Sequence, residues 1–299
     1  HGEGYPDWCL RLFDRRHANW SEDLVHEAVQ TQTTVGTLNG DLLHDSAEDL
    51  ASQGVESVVG DLTDPDSIRA AVDGVDAVYV ASPVSPQLAD LEGGLARAAV
   101  QADVSHLVLL SVIGAAPESP LTFARLHHES EQAVKESGIA WTFLRPNGFA
   151  QNTLAWADQI PSGTIYGPVL DARWSIVDVE DIADVAATAL LEPETHLGQA
   201  YVLTGPEPSS PREQIAIIAE LLGNELDAQE VPIEQAKAAM IEAGFPEWNA
   251  SKVAELLELY QTGVAELVSP DIERVLGRAP RTFREFATDN RAAFAAGLG

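Results

Sequence analysis

From about residue 55 onward, short apolar runs alternate with segments whose apolar positions recur every three or four residues. Residues 55–59 (VESVV) read as a strand. Asp64 follows as a helix cap, with Pro65 in the first helical position. The helix DSIRAAVDGV ends near Gly74, and residues 76–81 (DAVYVA) have the length and β-branched content of a buried strand. A loop and helix cover residues 82–103, a second buried strand residues 105–112 (SHLVLLSV), and a helix residues 119–138. Residues 140–144 (AWTFL) form the next strand, stopped by Arg145-Pro146-Asn147-Gly148. This alternation predicts an α/β fold, a doubly wound parallel sheet with helices on both faces. In such sheets ligands sit beyond the carboxyl ends of the strands. The segments to watch are therefore 60–63, 81–84, 111–114 and 146–152.

Beyond residue 150 the pattern is mixed. A short strand and turn lie at 163–168, a helix runs from Asp178 to about Leu191, and a strand lies at 199–203. Helices follow at 211–222 and 233–264, the second broken at 244–246. The division expected is a Rossmann-like domain over 1–150, and a smaller α/β substrate lobe over 151–299 that partly returns to the main sheet.

Charge narrows the partners. Forty-seven acidic residues face 17 basic ones, a net charge of -30. A phosphate backbone is repelled by such a surface, so direct nucleic-acid binding is not expected. No run approaches the roughly 20 apolar residues of a membrane helix, and the first residues lack a signal-peptide layout. With one cysteine, Cys9, neither a disulfide framework nor a thiolate metal site is expected, and a reducing cytoplasm is the default compartment. No His, Asp and Glu grouping has metal-ligand spacing.

Several blocks in one order, GDLTDPDSIRAAVDGVDAVYVASP, LVLLSVIGA, HHESEQAVKESGIAWTFLRPNGFAQN, VDVEDIADVA, GQAYVLTGP and LGRAPRTFREFA, span roughly residues 47–290. Together they resemble the NmrA-like branch of atypical short-chain dehydrogenases/reductases, which includes NAD(P)H:quinone oxidoreductases, azoreductase-like proteins and NAD(P)-binding redox sensors. The resemblance implies a Rossmann fold and NADP or NAD as cofactor, with NADPH slightly favoured. It departs from the family at its start. A Gly-x-x-Gly-x-x-Gly turn is expected within residues 1–46, but Gly2 and Gly4 lie outside any strand-to-helix turn, and Gly36 and Gly40 have the wrong spacing. Two readings stand side by side. One is a diverged or truncated N-terminus. The other is translation out of frame, since possible codons for HGEGYPDWCLR, read one base later, permit Met-x-Lys-Val-Ile-Leu-Thr-Gly-Ala-Ser-Gly.

By resemblance, Asp61 and Leu62 lie beside the adenine, against a local reading of Asp61 as a turn residue. Ala81, Ser82 and Pro83 let ribose and phosphates approach the backbone. Ser111 stands where the wider superfamily keeps a catalytic serine, but the places of its Tyr-x-x-x-Lys partner hold Phe123 and His127. A Phe gives no proton, so the alcohol dehydrogenase mechanism is disfavoured. His127 is the candidate proton donor or carbonyl-orienting group, against a surface histidine paired with Glu131. Pro146, Asn147, Gly148 and Phe149 border nicotinamide and substrate, with Gln151, Asn152 and Tyr166 as substrate contacts. Trp156 reads as core. Asp178 and Asp181 read as a helix cap rather than a catalytic pair, and residues 276–281 (LGRAPR) as a block docking the last helix.

Hydride transfer to a quinone-like or other electron-poor small molecule needs no Tyr-Lys pair, so an NAD(P)H-dependent oxidoreductase is the first reading. A non-catalytic NAD(P)-binding sensor is the alternative. NADH versus NADPH, the substrate and the oligomeric state are not readable, and a homodimer is left open.

Overall fold

The structure, a computed structural model, describes residues 60–296 and, before them, the backbone of five strands. The readings of residues 1–46, the absent Gly-rich turn among them, lie outside the described residues. Of the strand read at 55–59, only Glu56–Ser57 is described.

The strands are β1 (Cys9–Phe13), β2 (Ala18–Asn19), β3 (Gln30–Thr31), β4 (Gly36–Thr37), β5 (Glu56–Ser57), β6 (Ala77–Ala81), β7 (His106–Leu110), β8 (Trp141–Pro146), β9 (Thr164–Gly167), β10 (Gln199–Leu203) and β11 (Asp227–Glu230). Seven form one sheet in the order β10-β8-β7-β6-β1-β4-β5. The order turns about β1, which lies between β4 and β6. β6, β7 and β8 run parallel, with Ala77 opposite His106 and Leu107 opposite Trp141, and β4 runs parallel to β5. β1 runs against both its neighbours, Leu10 opposite Val80 and Arg11 opposite Thr37. β2 and β3 form a separate antiparallel pair.

The helices are α1 (Pro65–Val72), α2 (Leu88–Gln101), α3 (Thr122–Glu136), α4 (Val179–Leu191), α5 (Pro193–His196), α6 (Pro211–Leu222), α7 (Ile233–Glu242), α8 (Glu247–Tyr260), α9 (Asp271–Leu276), α10 (Phe283–Asp289) and α11 (Arg291–Ala295). Local chemistry accounts for several ends. Asp64 accepts a hydrogen bond from the Asp66 amide at 3.0 Å, and Pro65 opens α1. Ser210 and Glu213 close a reciprocal capping box on α6. The break expected at 244–246 separates α7 from α8.

The chain divides into two compact units. The first holds residues 1–118, 124–144 and 186–200, and the second residues 119–123, 145–185 and 201–299. The first unit's core packs Val78, Val80, Leu107, Leu109 and Phe143 of the sheet with Ile68, Leu91, Leu95 and Val134 of the helices. Each such aliphatic side chain contributes about 1.5–3 kcal/mol on burial. At Gly93, a Cβ would stand 2.8 Å from the Ala133 Cβ, so glycine is what lets α2 approach α3. The second unit's core packs Ile165, Leu170, Ile176, Ile215 and Ile218 with Phe283, Phe286 and Phe294, and its β9 and β11 pair in parallel. Among the described residues no helix is long and apolar enough to cross a membrane. Nor does any group of His, Cys, Asp and Glu among them have a metal-holding arrangement.

Candidate active site

In the first unit the candidate residues lie on the loops and helices that follow β5, β6 and β7. Asp61 is exposed. Its Oδ1 accepts from the Thr63 amide and hydroxyl, both at 2.7 Å, and those bonds hold its carboxyl below the usual range. The turn reading of Asp61 is therefore realised in this structure. Leu62 is buried in the core, so only its backbone is available to a ligand. Ala81 and Ser82 are partly exposed and Pro83 is exposed at the end of β6.

Ser111 is buried, and its Oγ donates to Glu131 Oε1 at 2.7 Å. A serine has one proton. With that proton given to Glu131, what Ser111 offers a ligand is a pair of acceptor sites. His127 is also buried, and its Nδ1 meets no hydrogen-bond partner among the described residues. Burial pushes its pKa down to about 4, against the opposing pull of Glu131. The surface-histidine reading thus gives way: α3 turns His127, Ser130, Glu131 and Val134 onto its buried side. A neutral imidazole there gives or accepts a hydrogen bond and is not an acid at neutral pH.

Next to this set lies a feature that motif reading passes over. Glu92 of α2 is 1 % exposed and accepts from the Ser130 hydroxyl. Ser82 sits beside the same carboxyl. Ser82 Oγ and Glu92 Oε1 are both sealed without a satisfied hydrogen bond. Burial pushes Glu92 up to about 8, so it is a neutral acid at pH 7. The signal was present in the helical period: Glu92 falls between Leu88, Leu91 and Leu95, all on the buried face of α2.

In the second unit the turn after β8 is tied down on both sides. Asn147 donates through Nδ2 to the Ala265 carbonyl at 3.0 Å, and its Oδ1 accepts from the Gly148 amide at 2.9 Å. Gly148 accepts from the Val177 amide at 2.9 Å, and Phe149 bridges Val177 in parallel. Gln151 spends both ends of its amide on the start of α4, donating to Asp178 at 2.6 Å and accepting from the Val179 amide at 3.1 Å. Its geometry holds the fold rather than leaving a free group. Pro146 is buried, Phe149 partly exposed and Asn152 exposed. Tyr166 is 56 % exposed.

Asp178 caps α4 and Asp181 stands in its first turn, and both do more. Asp178 accepts from the Glu180 amide at 3.2 Å and from Arg281 Nε at 2.8 Å. Asp181, fully buried, accepts from Arg278 and from the Arg281 amide at 2.7 and 2.8 Å. The 276–281 block is thereby clamped to α4. Trp174 and Tyr260, neither of which the motifs single out, stack with ring centroids 4.5 Å apart. Phe123 packs edge-on against Trp248, centroids 6.2 Å apart.

The sequence pattern of the NmrA-like family matches residues 21–287. The chain is 40% identical over 251 residues to the NAD(P)H azoreductase of Xenophilus azovorans, covering 84% of this chain and 87% of that protein. It is 37% identical over 246 residues to a (4-alkanoyl-5-oxo-2,5-dihydrofuran-3-yl)methyl phosphate reductase of Streptomyces griseus, covering 81% and 85%. The structure is similar to an NADPH-dependent quinone oxidoreductase of Escherichia coli complexed with NADPH, with a TM-score of 0.70 and 25% identity over 81% of this chain and 86% of that one. It is similar also to the triphenylmethane reductase of a Citrobacter species complexed with NADP(H), with a TM-score of 0.70 and 27% identity over 82% and 87%. Sequence pattern, strand order and these likenesses agree: the chain belongs to the NmrA-like family.

Proposed function

We propose that this protein is an NAD(P)H-dependent oxidoreductase acting on an electron-poor small molecule of the quinone or azo type. The observation that carries the reading is how the protons are committed around Ser111. The serine donates into Glu131, His127 is neutral, and Phe123 replaces the expected tyrosine. None of these three is an acid at neutral pH. Such a site suits an acceptor that takes a hydride without prior protonation.

The residues fit a nicotinamide nucleotide. Small side chains, Ala81 and Ser82, stand at the carboxyl end of β6. Two sealed polar atoms, Ser82 Oγ and His127 Nδ1, lack partners among the described residues. Ser111 presents acceptor lone pairs suited to an amide N–H. When bound, the cofactor supplies the hydride. The chain's own part is to orient it through Ser111 and exclude water. Asp61 and the Leu62 backbone would lie toward the adenine. The likenesses to reductases complexed with NADPH and NADP(H) support NADPH over NADH.

The test is acceptor-dependent oxidation of NADPH and NADH, followed by nicotinamide absorbance, with 1,4-naphthoquinone and an azo dye offered separately. Oxidation that depends on either acceptor is the expected result. Cofactor binding without turnover on both would refute the reading in favour of a sensor.

A further inference from the structure

Gly148 stands on the turn read as bordering nicotinamide and substrate. A Cβ added there would lie 3.1 Å from Trp174 Nε1 and 3.1 Å from the Tyr260 hydroxyl oxygen. Two atoms that close to one point lie within about 6 Å of each other, on the same side of Gly148. Both are donors. Tyr260 is only 7% exposed and Trp174 partly exposed.

The two donors are also held in place. Trp174 is pinned by reciprocal backbone bonds to Ser209, at 3.3 and 3.0 Å. Tyr260 ends α8 and stacks on the indole with the ring planes 18° apart. Gly148 itself is fixed by Asn147 and Val177. Burial holds the Tyr260 phenol above its usual range, so it keeps its proton. Preorganised donors of this sort stabilise charge that develops on a reacting oxygen.

We propose that Trp174 Nε1–H and Tyr260 O–H form a two-donor site for a carbonyl oxygen of the acceptor. The inference rests on the oxidoreductase reading above and names the residues that recognise its substrate. Hydride delivers two electrons and one proton, turning a quinone into a hydroquinone monoanion as the nicotinamide becomes oxidised. The two N–H and O–H groups stabilise that anion's oxygen. A proton from water then completes the hydroquinone.

The experiment is calorimetric binding of two probes, 1,4-naphthoquinone and naphthalene, in the presence of NADP+. Wild type is compared with Trp174→Phe and Tyr260→Phe, which keep stacked rings and remove one donor each. One neutral hydrogen bond is worth about 0.5–1.5 kcal/mol, or about a 2- to 10-fold change in affinity. Each variant is expected to weaken naphthoquinone by that factor and to leave naphthalene within about twofold. Equal losses for both probes would mean a packing role and overturn the proposal, as would unchanged naphthoquinone affinity or none in wild type. Turnover by wild type is measured alongside. Turnover with donor-independent binding sinks only the donor site, whereas donor-dependent binding without turnover sinks only the oxidoreductase reading.

Discussion

Glu92→Gln probes the least expected group of the first unit. In the folded chain Glu92 keeps its proton up to about pH 8, whereas its ordinary value is 4.5. Between those values the unfolded chain binds fewer protons than the folded one, so wild-type stability falls as pH rises. The slope is about 1.4 kcal/mol per pH unit. Worked through, the cost to wild type is about 1 kcal/mol at pH 5, about 3 at pH 7 and about 4 at pH 8, levelling off once the folded group also ionises. Gln keeps the oxygen that accepts from Ser130 and places an N–H₂ beside Ser82, where the protonated carboxyl stood. It carries no charge at any pH. Urea denaturation of wild type and variant at pH 5, 6, 7 and 8 isolates this group in the difference between the two proteins. That difference should grow in favour of the variant as pH rises. A difference that is flat across the range, or that favours wild type increasingly toward pH 8, would refute the assignment of a neutral buried acid.

Acid tests the histidine. His127 has its folded pKa depressed to about 4 from 6.5, so stability is complete above pH 6.5 and is lost as pH falls toward 4. His127→Gln should reduce that loss in melting-temperature measurements, leaving the parts due to His106 and His196, which burial shifts the same way. Gly93→Ala should destabilise the first unit by about 1–3 kcal/mol through overpacking against Ala133, despite a helix-propensity gain of roughly 1 kcal/mol. Chemical denaturation checks it, and an unchanged or raised midpoint would show that α2 and α3 separate freely. Arg278→Ala removes the guanidinium from the buried Asp181, and losing one partner of such a pair costs about 3 kcal/mol. An equal midpoint for variant and wild type would show that the Arg281 amide alone satisfies Asp181.

Much of the frame could be read from local pattern. The buried runs at 76–81, 105–112 and 140–144 are strands because β-branched and aliphatic residues cluster over strand length. The starts of α1 and α4 and the break before α8 follow from Asp64-Pro65, Asp178 and Gly244–Pro246, whose effects act within a few residues. The sites were less legible. Gln151 and Asn147 carry the amides of ligand-binding residues, yet both are consumed by partners within the fold, backbone groups and the Asp178 carboxylate. Position alone does not reveal that. Trp174 and Tyr260 belong to no motif, and only folding brings them over Gly148.

The amino-acid order by itself determined where strands and helices begin, the family they compose and the absence of a tyrosine at position 123. Those properties depend on neighbours a few residues away, or on residue identity alone. The tertiary structure decided which groups are committed and which stay neutral: Ser111 bound to Glu131, His127 and Glu92 neutral, Trp174 and Tyr260 stacked beside Gly148. Protonation and hydrogen-bond commitment are set by burial and by partners distant in the chain, and those exist only once the chain has folded.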